Sequence, residues 1–183
     1  MTHLSIYAIK PDQPAKKIEE TTDTAKIAAT MAQINVGFER WQAQAALAPG
    51  AEQDEILAAY APQIDALRQR GGYQSVDVVR IHPDHPDRVA MRDKFLHEHI
   101  HDDDEVRFFV EGAGAFYLRE VDRVYRVHCE QGDLLVVPKG KRHWFDMGAS
   151  PLFCAIRLFT TPDGWQAAFT ADKIASLVPG FQE

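Results

Sequence analysis

Cysteine is scarce in this chain: Cys129 and Cys154 are the only two in 183 residues. Each lies inside a strand-like apolar run, so they read as buried free thiols in a reducing compartment and not as a disulfide framework. Basic charge is in deficit, with 20 lysines and arginines against 27 acidic residues and a net charge of −7. That balance argues against a nucleic-acid or anionic-membrane partner. The longest basic clusters, Lys16-Lys17 and Lys139 to Arg142, are too short to reverse it. Long apolar runs are missing as well. No stretch approaches the length needed to span a bilayer. The N-terminus, MTHLSIYAIKPD, lacks the basic region and apolar run of a signal peptide. Internal repeats and low-complexity tracts are also absent. These absences leave the expectation of a soluble cytoplasmic protein, a single domain over residues 1–183 with one sizeable core.

What is present changes character near residue 72. The segment 1–72 reads as mainly helical. Asp23 is placed to cap a helix carrying Ile27, Met31 and Ile34, and Ala51 to Arg70 puts Ile56, Leu57, Tyr60, Ile64 and Leu67 on one stripe. Pro62 kinks or restarts that helix, and Gly71-Gly72 ends it. From residue 73 to 183 the texture is short β-rich runs: Ser75 to Ile81, Val106 to Glu111, Ala115 to Arg119, Arg123 to His128, Leu134 to Pro138 and Leu152 to Thr160. Turn residues separate most of them, among them Gly112, Gly114, Gly132-Asp133, Lys139-Gly140 and Gly148. A helix is expected at Pro86 to Leu96 and a closing one at Pro162 to Phe169. The expected fold is mainly β with flanking helices, a small barrel or double-sheet jelly roll on which the N-terminal helices pack.

Of eight histidines, three fall in the run His97-Glu98-His99-Ile100-His101. In an extended chain all three imidazoles share one face, so parity alone does not say which pair would bind a metal. The order His99-x-His101-x3-Glu105-x6-Gly112 resembles the first cupin motif, and Gly132-x5-Pro138-x-Gly140-x2-His143 resembles the second. Shifting back by two residues would make Asp103 the carboxylate and put Val110 where glycine is wanted. The resemblance therefore selects His99, His101, Glu105 and His143 as metal ligands and leaves His97 facing solvent or backing a ligand. Asp93 and Met147 depart from the usual glycine and asparagine of these motifs, at positions that carry no ligand. Imidazoles with one carboxylate suit iron, nickel, manganese or copper, whereas a structural zinc site more often uses thiolates. On a six-coordinate ion two positions stay open for a bidentate oxygen-donor substrate.

On the strand after Glu105, Arg107 and Phe109 share its face. A guanidinium beside a metal needs an anion between them, which points to a negatively charged substrate stabilised by Arg107. The alternative is a surface arginine paired with the Asp102-Asp103-Asp104 run. That run reads as a solvated turn, or else as a funnel for an entering cation. Phe95 and Phe145 line a pocket wall or belong to the core. His82, His85 and His128 have no motif context and read as bystanders.

The strings Lys94 to His101, Asp104 to Gly112 and His143 to Gly148 closely resemble bacterial acireductone dioxygenases. The likeness continues through Ala155 to Phe159 and Gly164-Trp165, densely from about Gly72 onward. This resemblance implies a cupin enzyme of methionine salvage, a dioxygenase that cleaves 1,2-dihydroxy-3-keto-5-methylthiopentene with O2. With Fe(II) the implied products are formate and 4-methylthio-2-oxobutanoate; with Ni(II) they are 3-methylthiopropanoate, formate and carbon monoxide. It also implies one metal per chain, a monomer, and roles for three more residues: Arg107 in stabilising the substrate dianion, Glu98 in transmitting local structural change, and Asp104 in metal incorporation. Two other readings remain at this stage: another metal-dependent cupin enzyme (an oxygenase, decarboxylase or isomerase), and a non-catalytic cupin that binds a small ligand.

Overall fold

The computed structural model describes residues 1–43 and 45–181. One long strand organises the molecule. Ahead of it lie β1 (His3–Lys10), β2 (Gln13–Thr21), β3 (Gly37–Arg40), β4 (Ser75–Ile81) and β5 (His99–Ile100); it is β6, Glu105–Arg119. Then come β7 (Arg123–Glu130), β8 (Asp133–Val137), β9 (His143–Asp146), β10 (Phe153–Phe159) and β11 (Ala168–Phe169). The C-terminal half of β6 lies in a sheet ordered β11-β5-β9-β6-β7-β1-β2. Its N-terminal half pairs with β10 and β8, which in turn reach β4 and β3. The two antiparallel sheets share β6 and close over a common interior.

Gly112 marks the crossing from one sheet to the other. Before it the odd residues Glu105, Arg107 and Phe109 face inward; beyond it the even residues Phe116 and Leu118 do. The change of parity needs an irregularity. It is a bulge against β10, where the partners of Cys154 and Ala155 jump from Glu111 to Phe109, followed by the left-handed φ of 62° at Gly112. A Cβ at Gly112 would lie 1.9 Å from the Leu152 carbonyl oxygen. Gly112→Ala should therefore destabilise the fold by about 2 kcal/mol or more, measured as a lowered urea midpoint. An unchanged midpoint would mean that the crossing is built differently.

Three apolar clusters follow from this geometry. The interior holds Leu4, Ile6, Phe38, Ile81, Phe109, Phe116, Val127, Phe145 and Phe153, and Ile27 and Met31 of α1 (Thr24–Gln33) pack against it. Asp23 caps α1 by accepting from the Lys26 amide at 3.0 Å. The outward residues Val106, Phe108, Val110, Ile156 and Leu158 are covered by Ile56 of α2 (Gln53–Ala59), Ile64 and Leu67 of α3 (Ala61–Gly71), and Tyr60 at the junction between them. The break between these helices falls beside Pro62, and Gly72 ends α3 with φ 67°. On the far side Tyr7, Ile9, Tyr117 and Trp144 are covered by Ile174 and Val178. Cys129 and Cys154 are buried free thiols, as the sequence suggests. Burial pushes Cys154 up to about 12. Among the described residues no helix is long and apolar enough to cross a membrane.

Two expectations need correction. The segment 1–72 is not mainly helical, because it opens with β1 and β2 and adds β3. β1 is apolar on both faces, being packed inside by Leu4 and Ile6 and outside by Tyr7 and Ile9, so it lacks the alternation of a half-buried strand. β2 is an edge strand whose polar side chains are mostly exposed, and it gives no apolar signal. The closing helix at Pro162 to Phe169 does not form either. That stretch is a turn leading into β11, and the helical turn lies later, at Ile174–Leu177. The helix expected from Pro86 is present as α4 (Arg88–Leu96).

Candidate metal centre

Adjacent strands bring the motif residues together. His99 on β5 sits directly opposite His143 on β9, His101 follows β5, and Glu105 opens β6. The four are 0–4% exposed. One ligand atom from each histidine lies within 4.8 Å of the others, and the ring centroids are 4.5–5.0 Å apart. Glu105 Oε2 lies 2.9 Å from His101 Nε2 and 3.6 Å from His143 Nε2.

Each imidazole is turned by its other nitrogen. His99 Nδ1 meets the His97 carbonyl at 2.7 Å, His143 Nδ1 meets the Lys141 carbonyl at 2.8 Å, and His101 Nδ1 meets the Gln166 carbonyl. A carbonyl only accepts, so each Nδ1 carries the hydrogen and each Nε2 presents a lone pair. Burial, with His143 alongside, pushes His99 down to about 3, so that ring is neutral at ordinary pH. His101 Nε2, His143 Nε2 and Glu105 Oε2 are buried without a hydrogen-bond partner. Lone pairs converging on a carboxylate oxygen in a dry interior are mutually repulsive unless a cation lies among them. The donor set thus fits a divalent metal ion, with carbonyl-oriented imidazoles of the kind metal sites use.

Arg107 lies within this cluster and not at the surface, so the pairing with the aspartate run is overturned. It is 3% exposed, and its Nε and Nη2 donate to Glu105 Oε1 at 3.0 and 2.5 Å. Burial alone would raise the Glu105 carboxyl, but it is held well below the usual carboxylate range, chiefly by the Arg107 guanidinium beside it. Arg107 Nη1 is buried and has no hydrogen-bond acceptor. The anion inferred between guanidinium and metal is in part Glu105 itself, and one donor remains for a second anion.

Aromatic rings enclose the centre. Phe145 lies 5.0 Å and Phe116 4.8 Å from the Arg107 guanidinium, and Phe95 contacts Phe145 at 6.2 Å and Trp165 at 6.3 Å. Trp165 stands edge-on to His99 and His101 at 5.8 and 5.7 Å. The aromatic wall anticipated from Phe95 and Phe145 therefore includes Phe116 and Trp165, which parity from His143 does not reach.

Glu98 points away from the histidines. It is buried, and its carboxylate accepts from Arg119 at 3.0 Å and from Thr170 at 2.7 Å. Asp104 accepts from the Lys139 amide at 2.8 Å, tying the ligand loop to the Lys139-Gly140 turn. The aspartate run is not a uniform solvated turn. Asp102 is exposed, whereas Asp103 is buried and takes hydrogen bonds from Thr160 and Thr161. Those bonds outweigh the upward push of burial and hold Asp103 below the usual carboxylate range. His97 ends α4 with its side chain 65% exposed, outside the cluster. His82, His85 and His128 also stand apart from it; His128 stacks between His3 and Phe181 at 4.7 and 4.9 Å.

A double-sheet barrel with three buried histidines converging in its interior defines a metal-binding cupin. The sequence model of the ARD/ARD′ family matches residues 5–167. An acireductone dioxygenase from Parvibaculum lavamentivorans is 58% identical over 183 residues, covering 100% of this chain and 98% of that protein. One from Pseudomonas aeruginosa is 51% identical, with 98% of each chain covered. The structure described as acireductone dioxygenase from Bacillus anthracis with cadmium ion in its active center superposes with a TM-score of 0.76 at 28% identity, covering 92% of this chain and 98% of that one. The chain belongs to the acireductone dioxygenase family.

Proposed function

We propose that this protein is the acireductone dioxygenase of methionine salvage, a cytoplasmic monomer with no nucleic-acid or membrane partner. Its reaction is the cleavage of 1,2-dihydroxy-3-keto-5-methylthiopentene by O2. The observation that carries the reading is the set of bare acceptor atoms on His101, His143 and Glu105 beside the unpaired Arg107 Nη1, a cation site and an anion site in one dry interior. Support comes also from the relatives of this length that bear the same name. His99, His101, Glu105 and His143 would hold one Fe(II) or Ni(II) per chain; the similar Bacillus anthracis protein is described with a cadmium ion in its active center.

When bound, the metal supplies Lewis acidity and a chelation site for the two enediolate oxygens. The protein residues do the rest. Arg107 Nη1 donates to the substrate oxyanion and favours the dianion, the form most reactive with O2. Glu105 keeps Arg107 in place through the 2.5 and 3.0 Å bonds to Oε1. Phe95, Phe116, Phe145 and Trp165 exclude water and receive the methylthio tail. Glu98 links the first ligand's strand to Arg119 and Thr170, a route for local structural change to spread. Asp104 steadies the loop before Glu105 during metal loading.

The finer assignment is tested by exchanging the metal in one polypeptide. Iron-loaded protein should yield formate and 4-methylthio-2-oxobutanoate, and nickel-loaded protein should yield 3-methylthiopropanoate, formate and carbon monoxide. Identical products from both forms, or no turnover with nickel, would contradict it.

A further inference from the structure

The three histidines differ in what orients them. His99 and His143 donate to the carbonyls of His97 and Lys141, two residues back along the chain and just before their own strands. His101 donates to the Gln166 carbonyl, 65 residues away. Gln166 lies on the connection from β10 to β11, which passes over the centre and also carries Trp165. His101 is therefore the ligand whose orientation depends on a remote segment staying in place.

That segment is pinned at its start. Asp103, midway between His101 and Glu105, is 7% exposed and accepts from four donors. Oδ1 takes the Thr160 amide at 3.0 Å and the Thr160 hydroxyl; Oδ2 takes the Thr161 amide at 2.9 Å and the Thr161 hydroxyl at 3.1 Å. A carboxylate filled on both oxygens by two consecutive residues fixes the direction in which the chain leaves β10. Six residues after Thr160, the chain delivers the Gln166 carbonyl to His101.

We propose that Asp103 is a positioning residue for the metal centre: by clamping Thr160 and Thr161 it holds the Gln166 carbonyl on His101 Nδ1 and so fixes the lone pair that His101 presents. This rests on the reading of the cluster as a metal site. The informative variant is Asp103→Asn, which keeps the shape but turns an NH2 group toward the threonine donors. The hydroxyls can rotate to accept from it; a backbone amide cannot, and is left unpaired.

The test uses full-length protein loaded with Zn(II), a diamagnetic stand-in, and labelled with 15N at histidine. Wild-type protein should show three protected ring Nδ1–H signals, from His99, His101 and His143. Their absence on zinc loading would sink the metal-site reading itself, separately from the role of Asp103. In Asp103→Asn the His101 signal should exchange rapidly while the other two persist. Zinc release to a chelator should quicken about tenfold, the lower end of what loss of an outer-shell partner costs. Should that variant fail to fold, Thr160→Val/Thr161→Val carries the same test, and Thr160→Ser/Thr161→Ser should restore wild-type behaviour. Equal loss of all three signals, or unchanged His101 exchange and zinc release with only a lower Tm, would overturn the proposal.

Discussion

Alanine at His99, His101, Glu105 or His143 should each strip the purified protein of most of its metal and its activity. The physical reason is that these groups have little else to bond to. His101 Nε2, His143 Nε2 and Glu105 Oε2 are buried acceptors without a hydrogen bond, so deleting any one leaves the others still facing a shared gap with fewer donors. The loss in affinity should exceed the roughly 10- to 100-fold typical of an outer-shell change. His97→Ala should retain near-normal metal, because its side chain is largely exposed and only its backbone carbonyl touches His99. Metal analysis by mass spectrometry distinguishes the cases. Metal lost with His97→Ala but kept with His101→Ala would mean that the motif register is wrong.

Arg107→Ala should give the opposite pattern, with metal retained and turnover slowed by on the order of a hundredfold. The group is placed for charge stabilisation: two of its nitrogens bind the carboxylate Oε1, and the third is buried with nothing to bond. Because the carboxylate keeps its other oxygen toward the histidines, the metal should survive the substitution. Arg107→Lys should recover only part of the rate, since an ammonium cannot span Glu105 and a substrate oxyanion in the planar fork. The defect should fall on kcat. An Arg107→Ala protein with normal metal and normal turnover would reduce that residue to a structural partner of Glu105.

How much of this could be read from the sequence depended on whether a feature was local. The meeting of these four residues was legible because motif spacing is covalent: His99, His101 and Glu105 lie on β5, the turn after it and the start of β6, and His143 follows a Pro-x-Gly turn. Strand β4 was legible to the residue because its run ends in turn-forming sequence on both sides. β1 was hidden by packing on both of its faces, and β2 by having almost none. The parity of Arg107 and Phe109 held because both precede the bulge in β6; it could not be carried to Phe116. Gln166 acts through a backbone carbonyl, which leaves no mark on residue type, and what sets Asp103 apart within the acidic run is its contact with Thr160 and Thr161, distant in sequence. The family likeness named Trp165 without giving it a position; the ring contacts with His99 and His101 do.

The most direct measurement is oxygen uptake by metal-free and iron-loaded protein given the same acireductone. Metal-free protein should leave only slow spontaneous oxidation. After Fe(II) is restored, the enediolate absorbance should collapse, with oxygen consumed and formate and keto acid formed in equimolar amounts. That stoichiometry is required because both atoms of O2 must appear in the two products. An iron-loaded protein that binds the acireductone yet consumes no oxygen would contradict the dioxygenase reading.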